Sequence, residues 1–392
     1  MSKLRGLLIA VFAAAALLAM GAIGWEALAG RQETRVKSSV IGALPTADSA
    51  NFERVMGPRE LVFPRDHGPH PTFQTEWWYY TGSLQGEDGR RFGYQLTFFR
   101  RGAGPGDWRE ARASAWAANH VYMAHFTVTD VQAGSFFAYE RFERGAAGLA
   151  GAQGEPAFQV WLRDWSVEQT GAGEYHLRAG EGDVAVDLRL VDGKGITLQG
   201  DRGYSRKGPE PGNASLYYSQ TRLETEGTLT IGQKAYAVSG SSWMDREIST
   251  SALSEGQVGW DWFALQLDDG SELMVYIIRD RKGEASVYSS GMFVDADGTA
   301  TALAYDNFEI RPEGVWRSPH SGGEYPARWH VSVPALALDL TVTPLVADQE
   351  LNLSVTYWEG AVQVAGERAG KPLSGYGYVE LTGYADSLEG DV

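Results

Sequence analysis

The sequence predicts an all-β protein made of two antiparallel β-barrels in tandem. From Leu61 onward the apolar residues recur with a period of two, which is typical of strands. After residue 30, no segment shows a helical period over ten or more residues. An aromatic strand, an acidic turn with glycine, an apolar strand and a final arginine occur twice, near 76–100 and near 260–279. This weak internal duplication indicates two similar units, and regularly spaced short strands favour barrels over a parallel α/β sheet.

Each of the two repeated segments reads as a hairpin. The first has an aromatic strand at 76–80, a turn at 86–89 and an aromatic strand at 92–99. The second has a strand at 260–267 and, after an Asp-Asp-Gly turn, a strand at 272–279. Acidic turns with glycine between alternating apolar strands are a hairpin signature.

The length and the breaks in the pattern suggest the domain division. A chain of 392 residues suits two domains of ordinary size. A stretch rich in proline and glycine near 209–213 interrupts the strands, and we therefore predict an N-terminal barrel at 59–218 and a C-terminal barrel at 219–388. Residues 31–58 are polar and irregular, and they read as a linker.

The first 30 residues predict export. Lys3 and Arg5 precede an uncharged run at 6–25, and an Ala-Leu-Ala cleavage pattern follows at 27–29. The same run is long enough to be an uncleaved membrane anchor, with the two cations on the cytoplasmic side. Either interpretation places the body in the periplasm or outside the cell, and the second one tethers it to the inner membrane through residues 6–25.

Composition excludes several function classes. The net charge of −16 argues against a nucleic-acid partner, because phosphate binding needs clustered cations. The absence of cysteine excludes disulfides, thiol nucleophiles and cysteine-ligated zinc. Neither a glycine-rich nucleotide loop nor a Gly-x-Ser-x-Gly motif is present, so we expect no cofactor. His67 and His70 lack a matching third ligand, and we predict no metal site.

Carboxylates embedded in aromatic strands are the candidate chemical groups. They are Glu76, Asp245, Glu247, Asp261, Glu359 and Glu380, in a chain with 13 Trp, 18 Tyr and 15 Phe. A carboxyl group in an aromatic cavity has a raised pKa and donates a proton at neutral pH. Aromatic faces also stabilise a cation, so such a site suits the addition of water to an alkene. In the alternative interpretation, these carboxylates face solvent or pair with arginines.

Several motifs together resemble one family, the AttH and carotenoid 1,2-hydratase-like proteins. The similarity covers roughly residues 57–386. The motifs are Asp-His-Gly at 66–68, Glu-Trp-Trp-Tyr at 76–79, Phe-Gly-Tyr-Gln at 92–95, and segments at 125–130, 215–219, 243–247, 259–263, 357–362 and 375–384.

The resemblance implies two lipocalin-like domains with a pocket in or between them, export, and an ABC-type membrane permease as a partner. Some relatives hydrate acyclic carotenoids without a cofactor. True carotenoid hydratases have His-Asp-His-Asn-Trp where this chain has Met-Asp-Arg-Glu-Ile at 244–248. The aspartate of that run, Asp245, is retained, but the difference does not support carotenoid specificity.

Three functions stay open on these grounds: a hydratase-type lyase acting on an isoprenoid or lipid, a carrier of a hydrophobic ligand, and a secreted hydrolase. For the lyase, Asp245 is the expected proton donor, and Asp261 or Glu247 tunes it or positions water. We expect the site where the strands 243–247 and 260–263 of the second domain face residues 76–80 of the first. The residues expected to line the ligand are Glu76, Trp78, Tyr80, His125, Tyr218, Trp243, Trp262, Trp358, Tyr378 and Glu380.

Overall fold

The computed structural model of the chain describes residues 51–104, 119–250 and 253–388. The predicted leader at 1–30 lies outside the described residues, as do positions 31–50 of the predicted linker. Within the described ranges, no helix has both the length and the apolar character that crossing a membrane requires.

Two antiparallel sheets account for nearly all of the regular structure. The strands of the first sheet are β1 (Thr75–Gly86), β2 (Arg91–Gly102), β3 (His120–Asp130), β4 (Ser135–Arg144), β5 (Ala150–Gln153), β6 (Gln159–Leu162), β7 (Trp165–Gly171), β8 (Glu174–Glu181), β9 (Val184–Asp192), β10 (Thr197–Leu198), β11 (Tyr204–Arg206), β12 (Ala214–Ile231) and β13 (Lys234–Ser249). Those of the second are β14 (Gln257–Leu267), β15 (Glu272–Asp280), β16 (Ser290–Val294), β17 (Ala300–Ala304), β18 (Glu309–Arg317), β19 (Glu324–Val333), β20 (Leu338–Pro344), β21 (Glu350–Asn352), β22 (Thr356–Arg368) and β23 (Lys371–Leu381). Short 3-10 turns occur at Arg65–His67, Tyr305–Asn307 and Pro334–Leu336.

Both sheets are barrel-shaped, and both are built around the predicted hairpins. The first has the strand order β4-β3-β2-β1-β13-β12-β9-β8-β7-β6-β5, with β10 and β11 also on β12. The second has the order β17-β16-β15-β14-β23-β22-β20-β19-β18, with β21 also on β22. The hairpin β1–β2 therefore lies beside β13, the last strand of its sheet, and β14–β15 lies beside β23 in the same way. The all-β class and the tandem arrangement are confirmed.

The change from one sheet to the other lies further along the chain than we predicted. The expected boundary at 218/219 falls inside β12, and β13 pairs with β1 along its length, from Thr75 opposite Ser249 to Gly86 opposite Val238. The first sheet therefore ends at Ser249, and the second begins at Gln257. The break near 209–213 is a turn within the first sheet. Turn residues mark where a strand ends, but they do not reveal which strand the next one will join.

The two barrels pack against each other through strand faces that point away from their own interiors. On β13, Met244 belongs to the core of the first barrel, whereas Trp243 belongs to a separate cluster between the sheets. That cluster comprises Tyr79, Tyr217, Trp243, Trp262, Ala264, Met274, Tyr276, Ile278, Ala361 and Tyr378. The contacting strands are therefore buried on both faces, which explains their near-continuous apolar and aromatic sequences.

Candidate functional site between the two barrels

Three carboxyl groups lie in the contact between the barrels. Asp245 on β13, Glu359 on β22 and Glu380 on β23 all stand on the faces that the two sheets turn toward each other. Asp245 and Glu359 are buried, and Glu380 retains partial contact with solvent. Burial removes the hydration that stabilises a carboxylate, so it favours the protonated form of each group.

Glu359 and Glu380 form a pair of acids. They lie directly opposite each other on adjacent antiparallel strands. The phenol of Tyr79 donates to Glu359 Oε1 at 2.5 Å, and the indole Nε1 of Trp260 donates to Glu380 Oε1 at 2.5 Å. Among the described residues, no protein group donates a hydrogen bond to Glu359 Oε2, and the carboxyl groups of Glu359 and Glu380 are close enough to interact with each other. The geometry therefore suits a proton shared between the two acids.

The surroundings of this pair keep a proton on it at neutral pH. Burial, followed by the proximity of Glu380, raises the pKa of Glu359 well above its ordinary value. Burial raises the pKa of Glu380 to about 7, although hydrogen bonds from Glu359 and Trp260 oppose the shift. Two carboxyl groups this close do not both ionise in a medium of low dielectric constant, so the pair titrates as a unit.

Asp245 has a different environment, with three donors directed at one carboxylate. The Tyr217 hydroxyl lies 2.5 Å from Oδ2, and the Ser219 hydroxyl and Trp243 Nε1 lie 2.5 and 2.7 Å from Oδ1. Burial raises the pKa of Asp245 to about 6 in spite of these donors. At neutral pH it is therefore mainly a carboxylate, and it can take up a proton at little cost.

Glu247, two residues further along the same face of β13, is held in an ion pair. Lys207 Nζ lies 3.0 Å from Glu247 Oε1, and the Ser215 hydroxyl also donates to that oxygen. Burial opposes the charge on Lys207, but Glu247 raises its pKa above the ordinary value. The ammonium group also lies 4.2 Å from the centre of the Tyr276 ring. Glu247 therefore neutralises and anchors Lys207 at the edge of the aromatic cluster.

Two of the expected acids lie elsewhere. Asp261 stands on the face of β14 that carries the second barrel's core, where Arg279 Nε and the Tyr384 hydroxyl bind it at 2.8 and 3.0 Å. Glu76 lies within the first barrel and pairs with Arg100, at 2.6 Å, and with Arg246. Burial opposes the charge on Glu76, but the two guanidinium groups lower its pKa well below the ordinary value. We therefore no longer expect either carboxylate to act beside Asp245.

The remaining expected lining residues divide between three places. Trp78, Tyr80 and Tyr218 belong to the core of the first barrel, and Trp358 belongs to the core of the second. His125, Trp243, Trp262 and Tyr378 lie between the barrels with the three acids. The expectation that Tyr218 lines the space around Asp245 is therefore wrong, since adjacent residues of a strand point to opposite faces.

Sequence reasoning missed residues that lie one position from those it chose. They are Tyr79 beside Trp78 and Tyr217 beside Tyr218, whereas Glu359, beside Trp358, was a candidate carboxylate but was not expected to line the ligand. Because these strands are buried on both sides, both alternating sets are apolar or aromatic, and the pattern does not tell one face from the other. The pairing of β13 with β1 in the structure shows which face of β13 points toward the second barrel.

The histidines near the start of the first barrel have separate partners. His67 Nδ1 lies 2.7 Å from the Tyr218 hydroxyl, and His70 Nδ1 lies 3.3 Å from Glu76 Oε2. Over the described ranges 51–104, 119–250 and 253–388, no group of three or more His, Asp or Glu side chains is arranged so that it could hold a metal ion.

Comparison with known proteins places the chain in a family. The AttH-like family model matches residues 54–384. The crystal structure of an AttH protein from Nitrosomonas europaea is similar, with 33% sequence identity and a TM-score of 0.75, over 85% of this chain and 100% of that one. Comparison with curated proteins gives no significant match.

A hydratase of known structure has a similar fold. Kievitone hydratase from Nectria haematococca is similar over 86% of this chain and 97% of its own, with a TM-score of 0.63 and 16% sequence identity. Identity this low shows the tandem lipocalin-like architecture alone. The family match and the Nitrosomonas structure cover almost all of the two barrels, and this chain therefore belongs to the AttH-like family.

Proposed function

We propose that this protein is a cofactor-independent hydratase-type lyase, which adds water to a double bond of an apolar isoprenoid or lipid held between the barrels. The observation that carries the proposal is the pair Glu359 and Glu380. Its surroundings keep a carboxylic acid protonated at neutral pH among aromatic side chains, which is the state that alkene protonation requires.

The groups between the barrels supply each step of such a reaction. The acid pair gives its proton to one carbon of the double bond, and the π electrons form the new C–H bond. The other carbon becomes a cation, which the faces of Trp243 and Trp262 and the carboxylate of Asp245 stabilise. Water adds to this cation, and its surplus proton passes to Asp245 and from there to solvent, while the acid pair is reprotonated from solvent. The roles of Asp245 and the pair follow from different pKa shifts, since the pKa of Asp245 is raised to about 6, whereas burial and the neighbouring acid raise that of Glu359 well above its ordinary value.

The fold comparison supports the reaction class. Kievitone hydratase is named for the addition of water and shares the tandem barrels of this chain. The natural double bond is left open in this proposal, because the Met-Asp-Arg-Glu-Ile run differs from the carotenoid hydratases.

A carrier of a hydrophobic ligand is the second candidate. The aromatic cluster between the barrels suits an apolar ligand whether or not the ligand reacts. In this version the leader exports the protein to the periplasm or beyond, and an ABC-type permease exchanges the ligand with it. Both proposals place the ligand in the same space, so they are separated by the fate of the ligand.

The test begins with native mass spectrometry of the purified full chain, to identify a retained ligand. That compound and a series of acyclic isoprenoids are then incubated with the protein in D2O. Hydration adds one deuterium to carbon and one hydroxyl group, whereas a carrier returns the ligand unaltered.

Glu359→Gln tests the acid directly, and Glu367→Gln, an exposed position on the same strand, is the matched control. We expect Glu359→Gln to lower turnover by about 100-fold or more and the control to keep it. Wild-type turnover in Glu359→Gln would remove the acid assignment. Unaltered recovery of every compound from the wild type would favour the carrier.

A further inference from the structure

A chain of three polar side chains connects the two barrels beside the acid pair. His125 on β3 bonds through Nδ1 to the hydroxyl of Tyr357 on β22, at 2.7 Å. Its other ring nitrogen, Nε2, lies 3.1 Å from Oε2 of Glu140 on β4. One imidazole thus joins a carboxylate of the first sheet to a phenol of the second. An imidazole can accept a proton on one ring nitrogen and release one from the other, so it can pass a proton between its two partners.

The outer end of this chain meets solvent, and the rest of it is enclosed. The Glu140 side chain is 15% exposed, whereas that of His125 is 1% exposed. The Phe99 ring stands edge-on to the imidazole, with 5.5 Å between the ring centres. Exchange between His125 and water therefore has its most direct route through Glu140.

Hydrogen bonding fixes the direction of each contact. Burial opposes ionisation of Glu140, but His125 and Ser354 lower the pKa of this carboxyl group below its ordinary value. The backbone N–H of Ser354 contributes at 3.3 Å, and its hydroxyl donates as well. A carboxylate accepts hydrogen bonds, so neutral His125 carries its proton on Nε2. Its Nδ1 then accepts the hydroxyl proton of Tyr357.

The inner end of the chain adjoins the acids. Tyr357 and Glu359 are two residues apart on one strand, so their side chains share a face. Burial raises the pKa of Tyr357 well above its ordinary value, and the nearby charges of Glu359 and Glu380 raise it further. The phenol of Tyr357 is therefore a neighbour of the pair.

We propose that Glu140, His125 and Tyr357 form a proton relay between solvent and the pair Glu359/Glu380. In the outward direction, a proton of the pair passes to the phenol oxygen of Tyr357. The phenolic proton passes to His125 Nδ1, and the Nε2 proton passes to Glu140, which releases it to water. The inward direction is the reverse, and only O–H and N–H bonds form or break. The relay exchanges protons with or without a substrate, and its use in recharging a catalytic acid rests on the proposed function.

Hydrogen–deuterium exchange of the buried acid tests the relay without any ligand. The full-length protein is mixed rapidly with D2O, and the C=O stretching band of protonated carboxyl groups is followed by infrared spectroscopy. The difference spectrum against Glu359→Gln assigns the band of the pair. We expect His125→Gln and Tyr357→Phe to slow its exchange on the order of tenfold or more.

Two further variants separate proton transfer from a structural role. Glu140→Gln keeps an oxygen that accepts from Nε2 but cannot take up the proton, so it should slow exchange while the melting temperature stays near that of the wild type. His176→Gln is the matched control, because His176 also bonds to a carboxylate, Asp187 at 2.7 Å, but on the exposed surface of the same sheet.

Unchanged exchange in folded Glu140→Gln and Tyr357→Phe would overturn the relay, as would equal slowing in His176→Gln. Slow exchange in the relay variants of a protein that hydrates nothing would support the relay and reject the proposed function. If the wild type hydrates a substrate but the relay variants exchange protons as fast as the wild type, the proposed function is supported and the relay is rejected.

Discussion

Asp245 and Arg246 are neighbours in the chain, yet they lie in opposite environments. Asp245 faces the aromatic cluster between the barrels, whereas Arg246 points into the first barrel, where it binds Glu76 and lies 4.0 Å from the centre of the Trp78 ring. Both side chains are buried, because packing between the barrels covers the outer face of β13. At the scale of single residues, therefore, two charged neighbours on one strand act in different places, Asp245 between the barrels and Arg246 inside the first barrel.

The raised pKa of Asp245 predicts a specific pH dependence of stability. Its folded value of about 6 lies above the ordinary value of 3.8, so between these values the folded state binds more protons than the unfolded chain. Stability from this group is present below about pH 4 and is lost as the pH rises through 6. The isosteric Asp245→Asn variant is neutral throughout. Its unfolding free energy should therefore rise relative to the wild type by up to about 3 kcal/mol from pH 4 to pH 8.

Urea unfolding at the two pH values measures this difference. The contributions of the other carboxylates cancel, because they are the same in Asp245→Asn and in the wild type. Asp268→Asn, at an exposed turn, serves as the control. A difference between Asp245→Asn and wild type that is the same at both pH values would mean that Asp245 titrates normally.

Glu76 should be needed for stability, since its removal leaves two buried guanidinium groups without their shared carboxylate. Glu76→Ala should lower the unfolding free energy by about 3–5 kcal/mol, because the charges of Arg100 and Arg246 remain in a medium of low dielectric constant. The exposed pair of Arg189 and Glu226 provides the comparison. Glu226→Ala should cost at most about 1 kcal/mol. Similar costs for the two variants would contradict the assigned role of Glu76.

At the scale of strands, one glycine allows the barrels to come close. A Cβ atom at Gly93 on β2 would lie 2.6 Å from the Cβ of Ala361 on β22 and 2.7 Å from the hydroxyl of Tyr378 on β23. Both distances are shorter than carbon and oxygen atoms normally tolerate, and both neighbours belong to the cluster between the sheets. The backbone of β2 therefore sits directly against the second barrel.

Gly93→Ala should destabilise the protein by about 1–3 kcal/mol, because the added methyl group separates packed surfaces. The second substitution Ala361→Gly should recover part of this loss by removing the nearer atom, and denaturant unfolding of the single and double variants measures the coupling. Gly57→Ala is the control, since its Cβ would meet no atom within 4 Å. If the losses of unfolding free energy in the two single variants add in the double variant, the two positions are not in steric contact.

At the scale of the whole molecule, polar side chains also join the barrels. Glu272 of the second barrel binds Lys194 and Arg222 of the first at 2.8 and 2.5 Å, and the Thr129 hydroxyl donates to Gln349 Oε1 at 2.7 Å. Together with the apolar cluster, these bonds couple the stability of each barrel to that of the other.

We therefore expect both barrels to unfold in one transition, with coincident urea curves from circular dichroism and tryptophan fluorescence. Glu272→Ala leaves the buried ammonium of Lys194 without its carboxylate, so it should lower the midpoint and separate the two curves. Two transitions in the wild type would mean that the contact between the barrels does not couple their unfolding.

The sequence by itself determined the class of fold. The period of two, the turns and the repeated hairpin correctly predicted tandem antiparallel barrels, because these signals depend on neighbouring residues alone. Carboxylates among aromatic residues also predicted the kind of chemistry to look for, and Asp245 and Glu380 do lie together between the barrels.

The tertiary structure alone decided which face of each strand carries the site. A strand buried on both sides has no polar face, so the sequence does not distinguish Tyr217 from Tyr218 or Glu359 from Trp358. The pairing of β13 with β1 moved residues 243–247 into the first barrel, and it turned Asp245 toward the second. Strand pairing between distant parts of the chain thus brought Asp245 to Glu359 and Glu380, because long-range register depends on packing that no local pattern encodes.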